Sequence, residues 1–182
     1  MQDVTEEMKV RKWYTEFLEG NQKSFENIVL LYKDRLILFI KTYVGRWEIA
    51  EELSQDVFVY LLLHKEKYDV QYSFKSYLYL IAKCRALNYL KKEKKIVLYD
   101  EMPEEMVDTL EEEFLQKEKV KDYRKAMKEL KSDYANVLYL VEVEGLSYQE
   151  TARVLEKTVS SIKLLLHRAR KKLKSEMRKE EN

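Results

Sequence analysis

Gly145-Leu146-Ser147-Tyr148-Gln149-Glu150, toward the C-terminal end of the chain, decides how the rest is read. A serine followed three residues later by a glutamate is a capping box. The hydroxyl satisfies a free amide of the first turn, and the carboxylate reaches back to the cap amide. A helix therefore starts at Tyr148. Its apolar pattern runs out near Leu155, and Thr158 offers a second cap before Val159. Two short helices joined by a tight turn, the second running into His167-Arg168-Ala169-Arg170-Lys171-Lys172-Leu173, read as a helix-turn-helix. In the second helix Val159, Ile162, Leu166, Ala169 and Leu173 form a core stripe. Ser160, Ser161, Leu164, His167, Arg168 and Lys171 fall on the other side, where a DNA major groove would lie. Serines at a helix start bond phosphates or base edges, and Arg168 and Lys171 neutralise phosphates or read guanine. An amphipathic basic helix with a solvated outer face produces the same pattern.

Composition agrees with an all-α protein. The 182 residues include 3 Gly and 1 Pro, too few turn residues for an all-β fold of this size. Hydrophobic residues make up 46% and charged residues 37%, the balance of a globular chain and not of a disordered one. One Cys excludes an internal disulfide and a Cys-based zinc site, and 2 distant His argue against any metal. The apolar run from Ile28 to Ile40 is broken by Lys33, Asp34 and Arg35, so no membrane insertion is expected. The charged N-terminus is unlike a secretory signal, and a cytoplasmic protein is the expectation.

Lys+Arg total 34 and Asp+Glu 33, a net charge of +1 that hides local asymmetry. Lys83, Arg85, Lys91, Lys92, Lys94 and Lys95 form one basic run. Lys163, Arg168, Arg170, Lys171, Lys172, Lys174, Arg178 and Lys179 form another. Between them the stretch from Asp100 to Gln116 is acidic and holds Pro103, the mark of a linker. The chain therefore divides into a module at residues 10–95, an acidic linker at 96–116 and a module at 117–179. In a free chain the flexible acidic linker would be drawn toward the basic surfaces on either side of it.

Helical spacing continues through the first module. A helix with Trp13, Phe17 and Leu18 stops at Gly20-Asn21. A second runs from about Ser24 to Gly45, a third from Trp47 to His64, and a fourth from Lys75 to Lys92. After the linker a helix ends near Leu130, and another spans Asp133 to Glu144, with Ser132 as cap and Gly145 as stop. The third helix has a core stripe of Ile49, Ala50, Leu53, Val57, Tyr60, Leu61 and His64. Its opposite arc mixes Glu48, Glu51, Glu52, Gln55 and Asp56 with Val59, Leu62 and Leu63. Acids interleaved with aliphatics suit a basic, partly apolar protein partner. A helix buried on both sides by its own module would read the same way. The fourth helix and the loop before it bring together Tyr68, Tyr72, Phe74, Tyr77, Tyr79 and Tyr89 with Lys75, Lys83, Lys91 and Lys92, as single-stranded nucleic acid requires. Part of this aromatic set is core, and the tyrosines near the loop are expected to be exposed.

These residues carry a family resemblance. Ala50-Glu51-Glu52-Leu53-Ser54-Gln55-Asp56-Val57-Phe58 resembles a signature of the extracytoplasmic-function sigma factors of bacterial RNA polymerase, and Phe74-Lys75-Ser76-Tyr77-Leu78-Tyr79-Leu80-Ile81-Ala82 resembles a second. Gly145 to Ala152 with His167 to Leu173 is similar to their C-terminal helix-turn-helix, so the likeness covers about Ser24 to Leu173. It implies a sigma-2-like helical bundle and a sigma-4-like helix-turn-helix joined by the linker, with core polymerase and promoter DNA as partners. Glu48, Glu51, Glu52, Gln55, Asp56, Val59 and Leu62 would bind the β′ coiled coil, and the C-terminal module would meet the β flap. Tyr68, Gln71, Tyr72, Ser73, Lys75, Tyr79, Lys83, Asn88, Lys91 and Lys92 would melt and read the minus-ten element. Ser147, Tyr148, Thr158, Ser160, Ser161, Lys163, Leu164, His167, Arg168 and Lys171 would bind the minus-thirty-five element. Many members of the family are held by an anti-sigma protein. No catalytic residue, metal or cofactor is implied. The alternative is a stand-alone helix-turn-helix regulator that never joins the polymerase.

The chain departs from the family pattern at Tyr77, usually Trp, at Cys84 and Asn88, usually Asn and Asp, and at Leu164-Leu165, commonly Ser-Arg. Lys131 and Ala135 stand where Pro and Arg are usual. Glu156 occupies a turn position that is often Gly. Since glutamate adopts the left-handed conformation poorly, a wider turn is expected there.

Overall fold

A computed structural model describes residues 2–97 and 130–180. The acidic linker beyond residue 97 and the helix ending near Leu130 lie outside the described residues. Seven α-helices, with no strand among the described residues, follow in order: α1 Gln2–Leu18, α2 Gln22–Val44, α3 Trp47–Leu63, α4 Phe74–Val97, α5 Ser132–Leu138, α6 Tyr148–Leu155 and α7 Val159–Glu180.

Local chemistry sets each boundary. α2 begins at Gln22, two residues before the sequence places it, because the Asn21 side chain accepts a hydrogen bond from the Lys23 amide at 3.1 Å. Ser24 is instead buried, its hydroxyl donating to Glu16 of α1 at 2.5 Å. Gly45 ends α2 in the left-handed conformation, φ 75°, where a Cβ is disfavoured. The Phe74 amide that opens α4 donates to Glu7 of α1 at 2.9 Å, and Ser73 accepts from Ser76. Ser132 does not cap α5. It is the first helical residue, and its hydroxyl accepts from Asn136 at 3.1 Å. After Leu138 the helix continues as a π-helical turn, Tyr139–Val143, closed by the Glu144 amide on the Tyr139 carbonyl at 3.0 Å.

The capping box of α6 is complete. Ser147 accepts from the Glu150 amide at 3.2 Å, and Glu150 accepts from the Ser147 amide at 2.9 Å. Replacing Ser147 by Ala should cost about 1 kcal/mol, read as a lower thermal midpoint. An unchanged midpoint would show that the box adds nothing to the fold.

α2 is the spine of the first module and packs against α1, α3 and α4, while α5 and α6 both pack on α7. Tyr32, Phe39, Phe74 and Tyr79 are the largest fully buried side chains of the first module, and Leu138, Leu140 and Ile162 those of the second. The two interiors are continuous. Tyr139 of the π-turn puts its ring 5.9 Å from Phe39 and 6.4 Å from Tyr79, and its hydroxyl donates to the Arg35 carbonyl at 2.8 Å. Thr42 of α2 hydrogen-bonds Asn136 of α5. The modules that the sequence separates thus pack as one body, α6 against α4 and α5 against α2.

Candidate nucleic-acid and polymerase interfaces

α3 is amphipathic in an unusual sense. Ala50, Leu53, Val57, Phe58 and Leu61 are buried toward α2 and α4. The opposite arc is open: Glu48, Glu52, Gln55 and Asp56 are exposed, beside Val59 at 51%, Leu62 at 50% and Leu63 at 69% exposure. Glu51 is half-buried, 3.9 Å from Lys33 of α2. This removes the reading of a helix covered on both sides. Three aliphatic side chains held in water beside four polar ones form a surface that gains by meeting a partner.

The turn between α6 and α7 is tight. Glu156 takes the left-handed conformation itself, φ 53° and ψ 45°, so the wider turn expected from the sequence is not adopted. Its amide bonds the Ala152 and Arg153 carbonyls, the Lys157 amide bonds the Ala152 carbonyl at 2.9 Å, and Thr158 accepts from the Ser161 amide at 3.2 Å. On α7, Ile162, Leu166 and Ala169 are buried with Val159 and Leu173 at their margin. Ser160, Ser161, Lys163, Leu164, His167, Arg168 and Lys171 are all exposed, in a row starting at the helix N-terminus. That row presents hydroxyls, then cations, to anything laid along it. Thr158 is exposed at the turn, Ser147 is exposed at the far end of α6, and Tyr148 is half-buried.

The third candidate surface is only partly open. Gln71, Tyr72, Asn88, Lys91 and Lys92 are exposed. Tyr68 is not the exposed loop tyrosine its position suggests. Its ring lies 5.1 Å from Tyr14 and 5.4 Å from Phe74, and its hydroxyl donates to the Tyr72 carbonyl at 2.8 Å. Tyr79 is fully buried beside Phe39. Burial pushes the Tyr68 phenol up to about 12, and that of Tyr79 well above its ordinary range.

The second module covers the remaining residues. Lys75 donates to the Glu144 carbonyl at 2.9 Å and lies 3.3 Å from Glu6. Lys83 is 6% exposed and meets the Glu156 carboxylate at 2.5 Å. The Arg153 guanidinium lies over the Tyr72 ring. Burial works to raise the Glu150 carboxyl, yet hydrogen bonds from Ser73 and Ser147 hold it below the usual range. Burial likewise works to raise Glu6, and Arg35 and Lys75 outweigh it. At Glu144 burial prevails and the carboxyl is raised, although Arg35 lies 3.8 Å away.

Residues that the sequence did not single out therefore shape this surface: Glu6, Glu7 and Tyr14 of α1, and Glu144 and Arg153 of the second module, while Glu150, read as a capping residue, also faces it. Tyr14 donates to the Lys65 carbonyl at 2.7 Å and so anchors the loop after α3. Only Glu156 carried a warning, as a glutamate in a place suited to glycine. Among the described residues no group of three His, Cys, Asp or Glu side chains converges to hold a metal ion, and no helix is long and apolar enough to cross a membrane.

The family model of sigma-70 region 2 matches residues 28–96, and that of sigma-70 region 4 matches residues 121–173. The ECF RNA polymerase sigma factor SigW of Bacillus subtilis is 25% identical over 191 residues, 94% of this chain and 98% of that protein. RNA polymerase sigma factor YlaC of the same bacterium is 27% identical over 172 residues, 87% and 95% of the two chains. In fold the chain is similar to the sigma factor RpoE of Bartonella quintana, solved with the anti-sigma factor NepR. That likeness has a TM-score of 0.74 at 22% identity and covers 86% of this chain and 98% of that one. It is also similar to CnrH, solved with the cytosolic domain of CnrY, with a TM-score of 0.64 at 18% identity over 92% and 96%.

Proposed function

This chain belongs to the extracytoplasmic-function sigma factors of bacterial RNA polymerase, and from that premise we propose which of its surfaces meets which part of the transcription machine. The protein binds core polymerase and directs promoter-specific initiation. Sigma factors are regulatory subunits, and this one takes no catalytic part and works in the cytoplasm beside its polymerase. The stand-alone regulator is not favoured, because such a protein has no use for the region 2 match over residues 28–96.

The exposed arc of α3, Glu48 to Leu62, docks on the β′ coiled coil. Its acids answer basic side chains of the partner, and Val59 and Leu62 are dried on contact. The exposed row of α7, from Ser160 to Lys171, enters the minus-thirty-five major groove. There the helix N-terminus and Lys163, Arg168 and Lys171 meet phosphates, and Leu164 can touch a thymine methyl. The loop at residues 65–74 and α4 take the minus-ten element. Tyr72 offers a π-face to an unstacked base, and Asn88, Lys91 and Lys92 follow the backbone. The C-terminal module also contacts the β flap. An anti-sigma factor belongs to the partner set, a reading supported by the fold neighbour RpoE, solved with the anti-sigma factor NepR.

The α3 arc carries this assignment, since a DNA-binding protein acting alone gains nothing from aliphatic side chains exposed among acids. The test is transcription from a library of promoter fragments by the host core polymerase, with and without the protein. New start sites should appear only when it is added. Identical transcript sets would overturn the reading.

A further inference from the structure

Glu156 is the one residue other than glycine with a positive φ among the described residues. Glycine takes that conformation without a steric cost, and a side chain there is retained against strain. The carboxylate it carries reaches out of its own module to Lys83 of α4, 73 residues earlier in the chain. Lys83 is nearly sealed from water, and a buried ammonium needs an anionic partner. The pairing holds Glu156 below the usual carboxylate range.

The same seam holds three further contacts of like kind. Glu150 lines one cleft with Ser73, the Glu144 carbonyl accepts from Lys75, and the Arg153 guanidinium lies over Tyr72. Every one joins the second module to a residue assigned to the minus-ten element. Two of the groups facing that surface are carboxylates, Glu150 and Glu156. They face a lysine and a serine hydroxyl, groups of the kind that bind phosphate. The row on α7 stays open throughout.

We propose that Glu156 is an intramolecular latch: in the free protein its carboxylate stands in for a promoter phosphate on Lys83 and holds the second module across the minus-ten surface. The proposal rests on the sigma-factor reading and adds self-restraint to it. An anion tethered to its own binding site competes at a high effective concentration, and promoter strands bind only the fraction of molecules that has opened. The free protein therefore engages duplex DNA through α7 before it can engage a melted minus-ten strand, and polymerase docking, by separating the modules, would release Lys83.

The test measures opening without polymerase. Spin labels at Glu19→Cys and Ser175→Cys, both exposed sites, in a Cys84→Ser background report the separation of the modules. The wild-type sequence at 156 should give one narrow distance distribution. Glu156→Gly, which relieves the backbone while removing the anion, should add a longer and broader population. Glu156→Gln, which keeps the strain, should open the modules as well. The swap Lys83→Glu with Glu156→Lys should restore the single narrow distribution. Glu156→Gly should also bind a single-stranded minus-ten oligonucleotide about fivefold more tightly than the parent. An unchanged distance in Glu156→Gly, or opening with no gain in affinity, overturns the latch. Neither readout uses polymerase, so a failed transcription test would strike the sigma reading and leave this result separate.

Discussion

Glu52→Arg combined with Val59→Asp should abolish co-purification with core polymerase, weakening the complex about a hundredfold or more. The two residues lie seven apart on α3, two helical turns, and so project from one face. Both are exposed, Val59 at 51%. Substitutions at such sites change folding stability by about 0.5 kcal/mol or less, so the thermal midpoint and helical circular dichroism should match the parent. The loss arises in the complex. Arginine meets a basic partner with like charge, and aspartate leaves a charge unpaired where an aliphatic group was to be dried. The proposed promoter contacts lie on α4 and α7, so binding of a duplex minus-thirty-five fragment should be unaffected. Retained polymerase binding with a folded protein would move the docking face off α3.

How much of this was legible in the sequence follows from how far apart the interacting residues are. The α3 arc and the start of α6 could be read directly, because a second stripe and a capping box are written within one or two turns of helix, whereas the tight α6–α7 turn was not, since Glu156 takes the left-handed conformation itself. Ser132 misled because its hydroxyl competes for partners at helical range, and Asn136 of its own helix claims it. Tyr68 misled because an aromatic ring in a loop is placed by what surrounds it. Tyr14, from a helix more than fifty residues earlier, closes over it. Lys83 reads as a free cation on a basic helix edge until the turn at Glu156 is folded against it. The docking of the two modules is the least legible feature. Tyr139 carries no mark distinguishing it from any other core tyrosine of an amphipathic helix, yet its ring joins Phe39 and Tyr79 in one interior.

Phe39→Ala tests that shared interior. The side chain is fully buried, and its ring lies 4.9 Å from Tyr79, 5.4 Å from Tyr43 and 5.9 Å from Tyr139. Removing it deletes the transfer free energy of the ring and leaves a cavity walled by three aromatic groups that cannot collapse together. The expected loss is about 3–5 kcal/mol, against a total stability of about 5–15 kcal/mol for a domain. For a chain of this size the thermal midpoint should fall by roughly 10 °C. The shape of the transition carries more than its position. With Phe39 present the modules share an apolar core and should unfold together in one cooperative step. Without it the contact to Tyr139 of the second module is lost along with those inside the first, and the melt should separate into two steps, α1–α4 below α5–α7. A variant that melts within about 2 °C of the parent and in one step would place Phe39, and with it the junction between the modules, outside the stabilising core.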